Sequence, residues 1–323
     1  MIEAIIVGSV VAFLALLFLL ISYLAYRRAF HSTPDPNADF YRVPSDDQYG
    51  PYRERMISLI GKLDNTPYES VSIVSYDGLV LHARYYHVAD GAPIHIKCHG
   101  YRSAGVRDFC GGCQIANDLG HNSLVIDQRA HTKSQGKVIS FGINERYDCL
   151  SWVNYLIDRF GKDTKIILAG VSMGAATVLM ASGLDLPENV VCVFADCPYS
   201  SPWGIIKKVC GDMGLPKKLC FPFAWTAARL FGKFDLLECS AISEVKKSRV
   251  PILIIHGEDD RFVPCEMSRE IAKSNPDAVT LVTIPDAGHV LCYFVQSDYY
   301  HKVTCEFIKK CLLKSQNTGK ESQ

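Results

Sequence analysis

Lys165-Ile-Ile-Leu-Ala-Gly-Val-Ser-Met-Gly-Ala-Ala176 is the stretch whose reading decides the fold. An apolar run, Ile166 to Leu168, stops at Gly170, and the small residues Gly174, Ala175 and Ala176 follow Ser172 where a helix would begin. Gly170-Val171-Ser172-Met173-Gly174 therefore reads as a Gly-x-Ser-x-Gly nucleophile elbow. The spacing has a steric reason. The serine sits on a strained strand-to-helix turn, and the flanking positions lack side chains because two backbones approach closely there. Ser172 is the expected nucleophile; the plain alternative is a strand-turn-helix with an incidental serine.

Working outward, apolar runs alternate with helical patterns. Strands are expected over 93–98, 122–126, 164–169, 190–194, 250–255 and 279–284, with helices near 106–119, 144–160 and 173–182. Such alternation implies a mostly parallel, doubly wound α/β sheet covered on both faces. Residues 53–63 suit a short helix, and 71–87, broken at Asp77-Gly78, suit an antiparallel β-hairpin. Partners for Ser172 belong in loops at strand C-termini. Pro251-Ile-Leu-Ile-Ile-His-Gly-Glu-Asp-Asp260 ends a buried strand in a cluster of acids, and Ile284-Pro-Asp-Ala-Gly-His289 ends the last strand in a turn that presents a histidine. His99-Gly100-Tyr101 follows an earlier strand.

With these motifs in place, the chain resembles the α/β-hydrolase superfamily. It is most similar in character to membrane-anchored bacterial members related to the Bem46-like and serine-aminopeptidase-like groups. The resemblance spans about Ser70 to Leu312 and rests on Gly-x-Ser-x-Gly, His-Gly-x-x-Asp-x-x-Val-Pro and Gly-His in that order. It implies the α/β-hydrolase fold and places the acid of the triad on Asp260, leaving Glu258 and Asp259 as bystanders. The family's Asp-x-Arg-Gly-His-Gly-x-Ser stretch is matched by Asp127 to Ser134, but two of its glycines are Ala130 and Thr132 here, which puts the local loop shape in question.

The assigned groups define an expected chemistry. His289 would take the Ser172 hydroxyl proton during attack on a carbonyl, Asp260 would hold the imidazole tautomer, and an acyl-enzyme would form. The oxyanion would be held by the backbone N–H groups of Met173 and Tyr101. Rival histidines His99, His131, His256 and His301 sit at the wrong strands. Asp259 and Asp196 compete with Asp260; Asp196, in Asp-Cys-Pro-Tyr, reads as structuring its loop. Cys110-Gly-Gly-Cys113 has no second pair at metal-ligand spacing, so neither a metal nor a cofactor is expected. The expected activity is cleavage of an ester or thioester. The alternatives are a serine peptidase or acyl transferase on the same triad, and a catalytically silent membrane-tethered binding module.

The 323 residues carry a formal net charge of zero and no basic block, so nothing favours a nucleic-acid partner; the expected partners are a small acyl substrate and a membrane. The 13 cysteines, scattered and odd in number, read as reduced thiols. Ala4 to Tyr26 is free of charge and as a helix spans roughly 34 Å, enough for a bilayer core. Glu3 precedes it and Arg27-Arg28 follow, which favours an uncleaved transmembrane anchor over 1–28 with the catalytic domain in the cytoplasm. Residues 29–69 read as tether and lead-in with little chemistry, 70–313 as the catalytic domain, and 314–323 as a frayed polar tail. Within the domain, about 198–245 is an apolar-aromatic insertion read as a cap. Either it closes over Ser172 to shape an acyl pocket, or its aromatics only pack a helical excursion onto the sheet. Lys207, Lys208, Lys217 and Lys218 read as its solvated face.

Overall fold

The structure, a computed structural model, describes residues 1–321. Eight strands form one sheet: β1 (Glu69–Val74), β2 (Val80–Tyr86), β3 (Ile94–Cys98), β4 (Asn122–Ile126), β5 (Ile166–Val171), β6 (Val190–Asp196), β7 (Ile252–Gly257) and β8 (Val279–Ile284). Their spatial order is β1-β2-β4-β3-β5-β6-β7-β8. The expected hairpin forms β1 and β2, with Val74 opposite Val80 and Gly78 at φ 87° in the turn. β2 pairs antiparallel with β4, and every later pairing is parallel. Strands β3 to β7 are buried at every residue, as continuous Ile, Leu and Val runs in a sheet covered on both faces must be.

The helices are α1 (Ile2–Ala29), α2 (Arg53–Asp64), α3 (Gly105–Asp108), α4 (Cys110–Asp118), α5 (Glu145–Phe160), α6 (Met173–Ala181), α7 (Pro202–Asp212), α8 (Lys217–Thr226), α9 (Ala241–Val245), α10 (Glu266–Ser274), α11 (Cys292–Val295) and α12 (Ser297–Glu321). On one face of the sheet, Trp152 of α5, Val178 of α6, Val245 of α9 and Ile271 of α10 share a core with Ile96, Leu168, Val193 and Ile254. On the other, Met56 of α2, Ile115 of α4, Phe294 of α11 and Tyr300 of α12 pack with Val125, Ala169, Phe194 and Leu253. The single helix expected over 106–119 is two, α3 and α4, broken at Phe109. The polar tail continues α12 to Glu321, and residues 322 and 323 lie outside the described residues.

Three sequence expectations change. Residues 29–69 are not a loose tether: Phe30 is fully buried against Phe141 and Phe234, His31 bridges Val138, and Ser32 N–H donates to the Lys137 carbonyl at 3.0 Å. The insertion turns its aromatics to α1, with ring centroids 4.8 Å apart for Phe18 and Phe223 and 5.3 Å for Tyr23 and Phe231. Phe231 belongs to a π-helical segment, Ala227–Gly232, that extends α8. Phe223 and Phe231 of the insertion thus pack against the apolar face of α1. Third, in the loop over 127–134 the two residues that replace glycines, Ala130 and Thr132, stand at φ 63° and 45°, the left-handed region glycine favours, at a cost in strain.

Candidate active site

Ser172 sits between β5 and α6 at φ 54°, a backbone state that costs an ordinary residue about 1–3 kcal/mol and needs its surroundings to enforce it. Those surroundings are visible in the flanking glycines. A Cβ on Gly170 would collide with the Gly174 backbone, and one on Gly174 would collide with the Cys98 carbonyl at the end of β3. The sharp turn lifts the hydroxyl clear of the sheet end, where loops from β7 and β8 meet it.

Ser172 Oγ lies 2.9 Å from His289 Nε2, and His289 Nδ1 lies 2.6 Å from Asp260 Oδ2. The carboxylate accepts the Nδ1 proton, which leaves Nε2 free to accept from the serine. Asp260 is itself fixed: its Oδ1 accepts from the backbone N–H of Phe262 at 2.9 Å and of Val263 at 2.7 Å. His256 Nε2 donates to the Val263 carbonyl at 2.9 Å and stands 3.3 Å from Asp260 Oδ2, so its Nδ1 accepts from Ser268 Oγ at 2.6 Å. Burial works to raise the Asp260 carboxyl, but His289 and His256 outweigh it and hold the group well below the usual carboxylate range. The carboxylate is therefore charged at neutral pH.

The turn after β3 closes the other side. Gly100 packs so near that a Cβ there would stand 3.4 Å from Ser172 Cβ, and its N–H donates to Asp108 Oδ2 at 2.7 Å. Ser103 also donates its hydroxyl to Asp108. This anchoring leaves the next N–H, that of Tyr101, without an acceptor among the described residues, as is that of Met173 at the first turn of α6. Two neutral histidines shape the turn. His99 Nδ1–H donates to the Gly100 carbonyl at 2.8 Å while Nε2 accepts from Gln128 N–H at 3.1 Å; His131 Nε2 accepts from Arg102 N–H at 3.0 Å. Burial lowers them to about 4 and about 3, respectively.

Asp196 does not reach His289: its Oδ2 accepts from Tyr300 Oη at 2.7 Å and its Oδ1 from Cys197 Sγ at 3.0 Å. His301 pairs with Asp118 at 3.0 Å and is not part of the relay. Cys197 brings two possible donor sets together, one with Asp196 and Cys292, the other with Asp260 and His289. Neither suits a metal as it stands, because burial pushes the Cys197 thiol far above its ordinary value and the carboxylates are already engaged. Cys110 and Cys113 are both buried free thiols.

The sequence reading missed the residues just before α2. Tyr49 Oη donates to the His289 carbonyl at 2.8 Å, Gln48 Nε2 to the Asp259 carbonyl at 3.0 Å, and Arg261 pairs with Asp47 at 2.8 Å. A strap from the N-terminal segment thus holds both loops of the Asp260–His289 pair. It also walls the cavity beside Ser172, about 610 Å³ in volume, with Val43, Tyr49, Met56, Arg102, Phe262 and Tyr293 among its lining. No residue of the 198–245 insertion lines that cavity. The insertion instead packs its rings on α1 and shares a core with Met173, Ala176 and Met180 of α6, rather than lying over Ser172 or on the sheet. Nothing local in the sequence marks the strap, whose partners lie more than two hundred positions away.

Residues 98–303 match the alpha/beta hydrolase family. Among curated proteins, the uncharacterised protein YqkD of Bacillus subtilis is 27% identical over 250 residues, covering 76% of this chain and 80% of the relative. Among solved structures, the esterase Pf2001 of Pyrococcus furiosus is similar with TM-score 0.64 at 22% identity, covering 87% of this chain and 98% of that one. Est1E of Butyrivibrio proteoclasticus, solved with ferulic acid bound, is similar with TM-score 0.58 at 22% identity, covering 76% and 99%.

Proposed function

Because the chain belongs to the alpha/beta hydrolase family, we propose that it is a membrane-anchored serine hydrolase that cleaves carboxylic esters or thioesters through an acyl-enzyme on Ser172. The observation that carries this reading is the relay of 2.9 Å and 2.6 Å from Ser172 through His289 to Asp260, set in a cavity. The structural similarity to the Pyrococcus furiosus esterase supports the same class of reaction.

His289 Nε2 accepts the hydroxyl proton as Ser172 Oγ attacks the acyl carbon, and Asp260 stabilises the imidazolium that forms. The oxyanion takes the N–H groups of Met173 and Tyr101, at a helix N-terminus and at a turn already fixed by Asp108. The imidazolium returns its proton to the leaving alkoxide or thiolate. Water then repeats the sequence on the acyl-enzyme and frees the acid.

The anchor is α1, whose 28 residues are apolar enough to cross a membrane. Its first half is exposed, while Phe18, Tyr23 and Tyr26 pack on α8 and the π-helical segment. The insertion therefore lies at the membrane surface, where its exposed Leu219, Trp225 and Leu230 meet lipid. Arg27 and Arg28 favour a cytoplasmic catalytic domain. Labelling of the full-length protein by a fluorophosphonate, lost on Ser172→Ala, tests the catalytic reading.

A further inference from the structure

The cavity beside Ser172 does not end at the triad. It continues along the face of the sheet covered by α4 and α12 and reaches His95, Lys97, Thr304 and Ile308. Lys97 lies in β3, a central strand buried at every residue, and is only 2% exposed. An ammonium in that position is costly unless it is paired. Lys97 Nζ makes one hydrogen bond, to the Gly112 carbonyl at 3.0 Å, and stands 5.2 Å from the centre of the Phe109 ring. Among the described residues no carboxylate lies within ion-pairing distance of it. The neighbouring His95 and His121 share a 3.0 Å contact, and burial keeps both neutral, so they supply no counter-charge. Thr304 Oγ1, also on the cavity lining, is buried without a partner. Between this polar end and Ser172 the sheet contributes Ala169, Val171 and Phe194, together with Asp196, whose carboxylate is already engaged by Tyr300 and Cys197.

A sleeve that is largely apolar and carries the Lys97 amine at its far end matches one kind of acyl group. We propose that Lys97 and Thr304 form a subsite for the free carboxylate of an ω-carboxyl acyl chain, so that the substrates are monoesters or monothioesters of dicarboxylic acids. The proposal rests on the serine-hydrolase reading above. Lys97 is in register with Ala169, three positions before Ser172 on the adjacent strand, which puts the subsite about 10 Å from the elbow along the strands. An extended chain of roughly six to ten carbons spans that separation. The far carboxylate supplies the counter-charge and the acceptor that Lys97 and Thr304 lack, and the ester bond is then held at Ser172. Hydrolysis breaks the acyl–oxygen or acyl–sulfur bond, releases the alcohol or thiol, and adds water to give the dicarboxylate.

The test uses full-length protein in detergent and three p-nitrophenyl esters: the acetate, the octanoate and the monoester of octanedioic acid. The expected kcat/KM for the octanedioate monoester exceeds that for the octanoate by at least about tenfold, because a buried polar site discriminates strongly against a ligand that leaves it unpaired. Lys97→Met is expected to reverse that ratio, and Thr304→Val to reduce it. Free octanedioate is expected to inhibit acetate hydrolysis by the unmodified protein more strongly than octanoate does, a comparison that requires no variant to fold. Hydrolysis of the acetate with octanoate equal or preferred in both comparisons overturns the subsite and leaves the hydrolase standing. Failure to hydrolyse any of the three esters overturns the hydrolase reading and this proposal with it.

Discussion

Tyr49 reaches across the molecule to donate its phenol proton to the backbone carbonyl of His289 at 2.8 Å. The segment that links α1 to the sheet therefore fixes the loop carrying the proposed general base. Tyr49→Phe removes that bond and little volume. The expected cost is about 1 kcal/mol of alignment, read as a three- to tenfold fall in kcat with KM nearly unchanged. Steady-state kinetics on a p-nitrophenyl ester check it; an unchanged kcat would show that the strap plays no part in catalysis.

Asp260→Asn is expected to lower kcat by several powers of ten, because only the carboxylate on His289 Nδ1 sets the imidazole tautomer. Asp196→Asn perturbs a hydrogen bond to Tyr300, and Asp259→Asn leaves the relay untouched. Comparing the three variants for kcat, with circular dichroism as a control for folding, decides the acid. A crippled Asp196→Asn beside an active Asp260→Asn would move the acid to β6.

Stability should fall on mild acidification. His99 and His131 have folded pKa values lowered by burial to about 4 and about 3, below the ordinary value near 6.5, so the unfolded chain binds protons first. Their neutral forms stabilise the fold fully above about pH 6.5, and that stability is lost as pH falls toward the folded values, roughly 3 kcal/mol for each histidine by about pH 4. Asp260 behaves similarly at lower pH: its depressed carboxyl contributes stability above about pH 4 that disappears as pH falls further. Thermal melts between pH 8 and pH 4 should show a falling Tm, with a shallower slope for His131→Gln. A Tm flat across that range would contradict the assigned neutral histidines.

The insertion and α1 should behave as one unit in the membrane. Deleting residues 1–28 uncovers Phe223 and Phe231, so the truncated chain is expected to aggregate without detergent and to melt lower than the full chain. On intact cells a membrane-impermeant thiol reagent should leave the half-exposed Cys210 and Cys220 unlabelled, given the proposed cytoplasmic side. Efficient labelling would place the domain outside.

Much of this architecture is legible in the chain because local chemistry dictates it. Gly170 and Gly174 announce an elbow through sterics that no other residue satisfies, and the apolar runs at 122–126 and 279–284 give strands with the expected limits. His289 and the acidic cluster at 258–260 follow because strand ends carry the loops that meet Ser172, and the family resemblance is what singles out Asp260 within that cluster. The strap was not legible, since Gln48 and Tyr49 act on residues more than two hundred positions away and nothing local marks them. Lys97 was hidden for another reason: nothing in Ile-His-Ile-Lys-Cys separates a lysine whose amine reaches solvent from one held beneath α4 and α12. The aromatics of the insertion were ambiguous because an apolar ring reads the same whether it lines a pocket or packs on α1.

The most direct test of the central claim is fluorophosphonate labelling of the full-length protein in detergent, followed by peptide mass mapping and by ester turnover of Ser172→Ala. The expected result is a single modification on Ser172, blocked by prior incubation with ester, with labelling absent and turnover lowered by several powers of ten in Ser172→Ala. Some residual rate from the oxyanion donors is compatible with this account. Modification of a different residue, or full turnover by Ser172→Ala, would contradict it.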